Sequence, residues 1–230
     1  VTGDRLSRIQ AEMTAGGDGT WSSARLCEVT RDMVGMSGAG IMLMSGDIPV
    51  GSLHSTNDAS NLIEELQYTL GEGPCVDAYT KSQVVAEPDL AQPGTPRWLG
   101  FSAPALEAGV RAVFAFPLEV GTVRLGALDL YRDAPGPLSD EQHADALVLA
   151  DVMATWVLDV QANAAPGTVA EELERGADFH AVVHNAAGAV SVQLGISVTE
   201  ALIRIRAYAF ANDRLLRDVA DEVVARRLQF

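Results

Sequence analysis

The 230-residue chain predicts an α+β domain, an antiparallel sheet with flanking helices, followed by an all-α three-helix bundle. Three observations carry this. Short β-rich runs lie in the middle of the first part of the chain, with helical spacings at both ends. Ala164-Ala-Pro-Gly-Thr168 then interrupts the pattern as a short linker. Beyond it no strand-like run returns, and three helical stripes fill what remains. The expected domains are 1–165 and 166–230.

Trp21 to Val34 has helical spacing, with Leu26, Val29, Met33 and Val34 apolar and Ser22 or Ser23 placed to cap. Ala39–Met44 and Pro49–Ser55 read as a hairpin turning at Gly46-Asp47. Asn57 to Leu70 is helical, Gly71-Glu-Gly-Pro74 breaks it, and a helical turn begins near Pro74, since proline suits a first helical position. Val84–Ala86 is a brief strand, and Glu87–Pro96 a loop. Trp98–Ala108 is helical, and two strong strands follow, Ala112–Val120 and Thr122–Tyr131. Ser139-Asp-Glu-Gln142 is a capping box opening a long helix with Ala146, Leu149, Ala150, Met153, Trp156, Val157 and Val160 on its apolar side.

In the second part, Val169–Leu194 forms a helix through Phe179, Val183, Ala186, Val190 and Leu194, and stops at Gly195. Ser197-Val-Thr-Glu200 caps a helix to about Ala211, with Val198, Leu202, Ile205 and Ala209 inward. The final helix, near Leu215–Leu228, buries Leu216, Val219, Ala220, Val223 and Val224.

Composition limits the function classes. An apolar fraction of 48% with 20% charged residues belongs to a globular chain. No apolar run approaches the roughly 20 residues of a membrane helix, and the start is polar, so a cytoplasmic protein is expected. The net charge is −15, yet from Phe179 onward six arginines face five acids. The acidic body repels nucleic acid, so any contact with a polyanion must be local to the final helices.

Leu70-Gly-Glu-Gly-Pro-Cys-Val-Asp77, Glu87-Pro-Asp-Leu90 and Gly126-Ala-Leu-Asp-Leu-Tyr131, in this order of elements, resemble GAF domains, small-molecule sensor modules of bacterial signalling proteins, and the first and third look like their actinobacterial branch. The resemblance covers roughly Trp21–Ala162. It implies terminal helices on one face of the sheet and a ligand pocket on the other. Strand alternation separately puts Ala127, Asp129 and Tyr131 on one face and Gly126, Leu128 and Leu130 on the other. Asp129 and Tyr131, with Arg111 near them, are the candidate ligand-binding residues for an unknown small molecule; the alternative for Asp129 is a solvated edge position.

Other chemistry is weaker. Gly35-Met-Ser37-Gly-Ala39 lacks the closing glycine of a nucleophile elbow and lies between helix and strand in the wrong order. Cys75 follows a Gly-Pro turn near a helix start, where a thiolate would be stabilised, but a lone cysteine is more often a small buried apolar group. A thiol reductase would need Cys27 and Cys75 within disulfide reach. His180 and His184 sit one turn apart without a third ligand, and Glu64-Glu65 are adjacent and face different ways. No P-loop or dinucleotide fingerprint is present. No catalytic residue, metal site or certain cofactor is expected, and no enzyme.

Arg204, Arg206, Arg214 and Arg217 group near one corner between helices, where the last helix's N-terminus favours phosphate; Arg226 and Arg227 are read as offsetting the dipole in its last turn. His184-Asn-Ala-Ala-Gly188, Glu200-Ala201, Ile205-Arg206-Ala-Tyr-Ala209 and Val219-Ala220 resemble ANTAR domains, three-helix modules that bind paired RNA stem-loops and prevent transcription termination. The chain departs from that pattern at Ala187, where many members carry Lys or Thr, and at Ala189. The resemblance implies RNA contact at Gly188 and Arg206; charge placement adds Arg204, Arg214 and Arg217, and Tyr208 is added as a base stacker. The expected function is a GAF-controlled RNA-binding antitermination regulator acting on tandem stem-loops as a homodimer. The alternative is a dimerisation or docking module that regulates a protein partner.

Overall fold

The computed structural model describes residues 2–15, 21–45, 48–92, 97–164, 173, 181–212, 214 and 216–230. It divides the chain into two compact units, Val1–Leu173 and Glu174–Phe230. Leu173, beyond the expected linker, is buried in the core of the first unit.

The first unit opens with a helix that the polar start of the chain conceals, α1 (Thr2–Ala15). Its Ile9 and Met13, four residues apart, are buried. Arg5 and Arg8 on the same helix ion-pair with Asp145, Arg8 Nη2 lying 2.5 Å from Oδ2. α2 (Ser23–Val34) is capped by Ser22, whose side chain accepts from the Arg25 N–H, and ends at Gly35 in the left-handed region. β1 (Gly38–Ser45) and β2 (Ile48–Ser55) follow; the expected turn at Gly46-Asp47 lies outside the described residues.

α3 (Asp58–Leu70) begins with a capping box, Asn57 with Ser60, in which each side chain accepts from the other residue's backbone N–H. α4 (Pro74–Lys81) starts on its proline as expected. β3 (Val85–Glu87), α5 (Leu99–Glu107), β4 (Ala112–Val120) and β5 (Val123–Arg132) come next. α6 (Asp140–Ala162) opens with both bonds of the Ser139–Gln142 capping box.

The sheet order is β2-β1-β5-β4-β3, every pairing antiparallel, with two register shifts between β1 and β2. One face carries Ile41, Phe114, Phe116, Leu128 and Leu130 into a core with Leu26 of α2 and Leu149 and Met153 of α6. The opposite face, with Asp129 and Tyr131, lies under α3 and α4. Gly126 pairs with Leu43, and a methyl group there would overlap the Met42 carbonyl oxygen, so this β1–β5 contact requires glycine.

The second unit contains α7 (Ala181–Leu194), α8 (Val198–Ala211) and α9 (Leu216–Val224). The expected part of α7 before Ala181, with Phe179 and His180, lies outside the described residues. Val183, Ala186 and Val190 are buried from α7, Leu202, Ile205 and Ala209 from α8, and Leu216, Val219, Ala220 and Val223 from α9. Three expectations change. Val224, expected in the buried stripe of the last helix, is exposed. Val198, at the first position of α8, is exposed, and Ala201 takes its place in the buried stripe. α9 stops at Val224 rather than Leu228, because Arg226 turns into the left-handed region (φ 58°). Arg226 and Arg227 therefore follow the helix instead of occupying its last turn. Among the described residues no single helix is long and apolar enough to cross a membrane.

Candidate functional site

The face of β5 under α3 holds a buried polar centre. Tyr131 donates its hydroxyl to Asn57 Oδ1 at 2.6 Å, and its ring fills the space over Gly38. Asp129 is 5% exposed, so it is no solvated edge residue. Its Oδ2 accepts from Gln67 Nε2 at 2.7 Å, while Gln67 Oε1 accepts from the Cys75 N–H at 2.6 Å. A single glutamine thus ties α3, the start of α4 and β5 together.

Glu64, one turn before Gln67, is 1% exposed and lies over Gly40, where a side chain would collide with it. Among the described residues no donor reaches either Glu64 oxygen or Asp129 Oδ1. The two carboxyl groups are close enough that the Asp129 charge disfavours a charge on Glu64. Burial first, then the Asp129 charge, pushes Glu64 well above its ordinary value; burial raises Asp129 to about 6. Glu64, Asp129, Pro74 and Tyr131 border a cavity of about 10 Å³, space for about one water molecule. Among the described residues no lysine, arginine or histidine lines it.

Of the three expected ligand residues, the structure brings Asp129 and Tyr131 together at this cavity and leaves Arg111 outside it. Arg111 Nη2 donates to Asp89 Oδ1 at 3.0 Å instead. Cys75 occupies the first turn of α4, but burial followed by the Asp129 and Glu64 charges raises its thiol well above the usual range, which outweighs the helix N-terminus. Cys27 is raised by burial too, and both cysteines are buried free thiols. No group of three or more potential ligands for a metal ion occurs among the described residues.

The arginines of the second unit fall on two flanks. Arg204 and Arg206 are two residues apart on α8, about 200° around the helix, so they cannot converge on one point. Arg204 is exposed and one turn from Tyr208. Tyr208 packs edge-on against Phe230 with centroids 5.4 Å apart, and also contacts Arg214. Arg214 Nη1 donates to Glu222 Oε2 at 3.0 Å, and Arg214 with Arg227 holds the Glu222 carboxyl below its ordinary value. One flank therefore groups Arg204, Tyr208, Arg214, Glu222 and Arg227. The other places half-buried Arg206 one turn from Phe210, which is 73% exposed. Arg217 is exposed on α9. Gly188 lies within α7 with open space where a side chain would stand. Ala187, one of the positions where the chain departs from the expected pattern, is fully buried.

A family model for the GAF domain matches residues 23–155. The chain belongs to the GAF domain family. Solved structures are similar to it. The GAF domain of a phosphoenolpyruvate-protein phosphotransferase from Coxiella burnetii is 13% identical with a TM-score of 0.50, covering 70% of this chain and 95% of that one. The corresponding GAF domain from Acinetobacter is 14% identical (TM-score 0.48, 71% and 96% covered). A GAF domain/HD domain protein from Geobacter sulfurreducens is 19% identical (TM-score 0.44, 61% and 92% covered). No curated protein matches the chain. The family match ends within α6, so α7–α9 lie outside it.

In this GAF domain the acid pair makes stability depend on pH. Both folded values are raised above the unfolded range of about 4, so the stabilisation is complete at acid pH and is lost as pH rises through about 6 and beyond. Glu64→Gln removes the more strongly shifted group and gives Asp129 an amide donor. Urea melts read by tryptophan fluorescence at pH 5 and pH 8 should show a smaller loss of stability in the variant than in the parent chain; equal losses would exclude Glu64 as the source. Sequence reading missed Glu64 because its partner is 65 residues away; the spacing Glu64–Gln67, one helical turn, was the available signal.

Proposed function

We propose that this GAF chain is a regulator in which the sensor domain controls an RNA-binding helical unit, and that the unit acts on stem-loop RNA as a transcription antiterminator. The observation that carries this reading is the flank of Arg204, Tyr208, Arg214 and Arg227 on a chain whose net charge is −15. Cations placed beside an aromatic ring suit a stem-loop, where phosphates surround unstacked bases. Glu222 neutralises part of this surface, so an incoming phosphate has to displace it from Arg214. Arg206 and Phe210 form a second contact strip, with the exposed ring of Phe210 better placed for stacking than Tyr208, which Phe230 already covers.

Filter binding of a tandem-hairpin RNA across a salt series tests the reading. Arg204→Ala with Arg214→Ala should weaken binding about tenfold and lower the salt slope by about 0.7 for each phosphate no longer neutralised. Gly188→Ala supplies an opposite pair of effects. It should stabilise α7 by about 0.5–1 kcal/mol, since no atom obstructs the methyl group, while weakening RNA binding where backbone and RNA approach closely. A parent chain with no salt-sensitive RNA binding would sink the proposal.

A second reading, docking to a protein partner, is favoured by exposed Ile203, Phe210 and Val192, which are 57%, 73% and 84% accessible. Loss of partner binding in Phe210→Ala with RNA affinity unchanged would select it.

A further inference from the structure

The GAF unit has a second concavity, on the helical side of the sheet and away from the Glu64–Asp129 centre. Leu6 of α1, Trp21, and Val152 and Trp156 of α6 line a groove of about 620 Å³, within the range of sites for small organic ligands. Its polar lining includes Asp151 and Asp159, and among the described residues no lysine, arginine or histidine lines it. In the same unit Asp145 pairs with Arg5 and Arg8, Asp77 with Lys81 and Arg97, and Asp89 with Arg111. Asp151 and Asp159 have no such cation among the described residues.

Geometry sharpens the chemistry. Asp151 and Asp159 are eight residues apart on one helix, which separates them by about 12 Å along its axis. The apolar floor between them includes Trp156 and Val152. Tryptophan faces attract cations as well as apolar chains. Burial, with the nearby Glu119 charge adding to it, raises Asp151, a cost that an incoming cation would relieve.

We propose that this groove binds an organic dication with an apolar body and two ammonium groups about 12 Å apart, one at Asp151 and one at Asp159. The apolar body lies along Val152 and Trp156 with Trp21 and Leu6 over it. This site is independent of the RNA-binding reading, because every described lining residue belongs to the first unit.

The test is a tryptophan-fluorescence titration of the full chain with 1,8-diaminooctane, octylamine and octanoate at low salt. All three tryptophans lie in the first unit, and two of them line the groove. The diamine should give a saturable change, octylamine should bind about tenfold more weakly, and octanoate should give none. Asp151→Asn with Asp159→Asn should weaken the diamine about tenfold while circular dichroism stays unchanged and the melting temperature does not fall. Equal binding of amine and octanoate, an unaffected double variant, or no saturable signal would overturn the proposal. A change that tracks protein concentration instead of ligand would assign the groove to a second copy and overturn it too.

Discussion

Gly126→Ala is expected to abolish the native fold of the GAF unit. The Cβ of alanine would stand inside the contact distance of the Met42 carbonyl oxygen, with the Leu43 backbone behind it. These are backbone atoms at the centre of the β1–β5 ladder, and they cannot swing aside as a side chain does. Gly126 also pairs with Leu118 of β4, so a shift of β5 away from β1 disturbs its other neighbour. A cost above about 4 kcal/mol is expected, enough to unfold many domains. Intrinsic tryptophan fluorescence in water without denaturant checks this: the variant should emit at the wavelength of the urea-unfolded chain. A native spectrum with an unchanged urea midpoint would show that the strands yield at no cost.

Arg5→Ala combined with Arg8→Ala is expected to free α1. Asp145 has a side chain only 5% exposed and is held by both arginines, while Arg8 is 47% exposed. Removing the two cations strands a carboxylate in a site built for a pair, at a cost of about 3 kcal/mol. Ile9 and Met13 would then leave the core, and α1 should become a site of early proteolysis and rapid amide exchange. Adding Asp145→Asn should recover part of the loss, because the stranded charge disappears. If the triple variant is no more stable than the double, the burial of Asp145 is not the origin of the effect.

The parts of this fold legible in the sequence are those fixed by neighbours along the chain. Ser139 with Gln142 and Ser197 with Glu200 form the caps that their spacing predicts, and the alternation of Leu128, Asp129, Leu130 and Tyr131 assigns the faces of β5. α1 escapes because Thr2–Ala15 is polar on most of its surface; only Ile9 and Met13, four residues apart, mark its inner side. The acid pair escapes for another reason. Glu64 faces Asp129 only after α3 folds across the sheet, and adjacent Glu65 disguises it as part of a solvated run. The arginines show the limit of counting charge: four in one stretch suggest a single patch, but helix pitch sends Arg204 and Arg206 to different sides.

The outermost strands give the molecule a further property. An open edge exposes unpaired amides and carbonyls on which another chain can stack, the first step toward fibrils. β3 offers only three residues for such growth. β2 is longer, but Pro49 has no N–H to donate, and the irregular register against β1 twists it away from flatness. Both borders are thus poor templates, which protects a concentrated solution of this protein against cross-β aggregation.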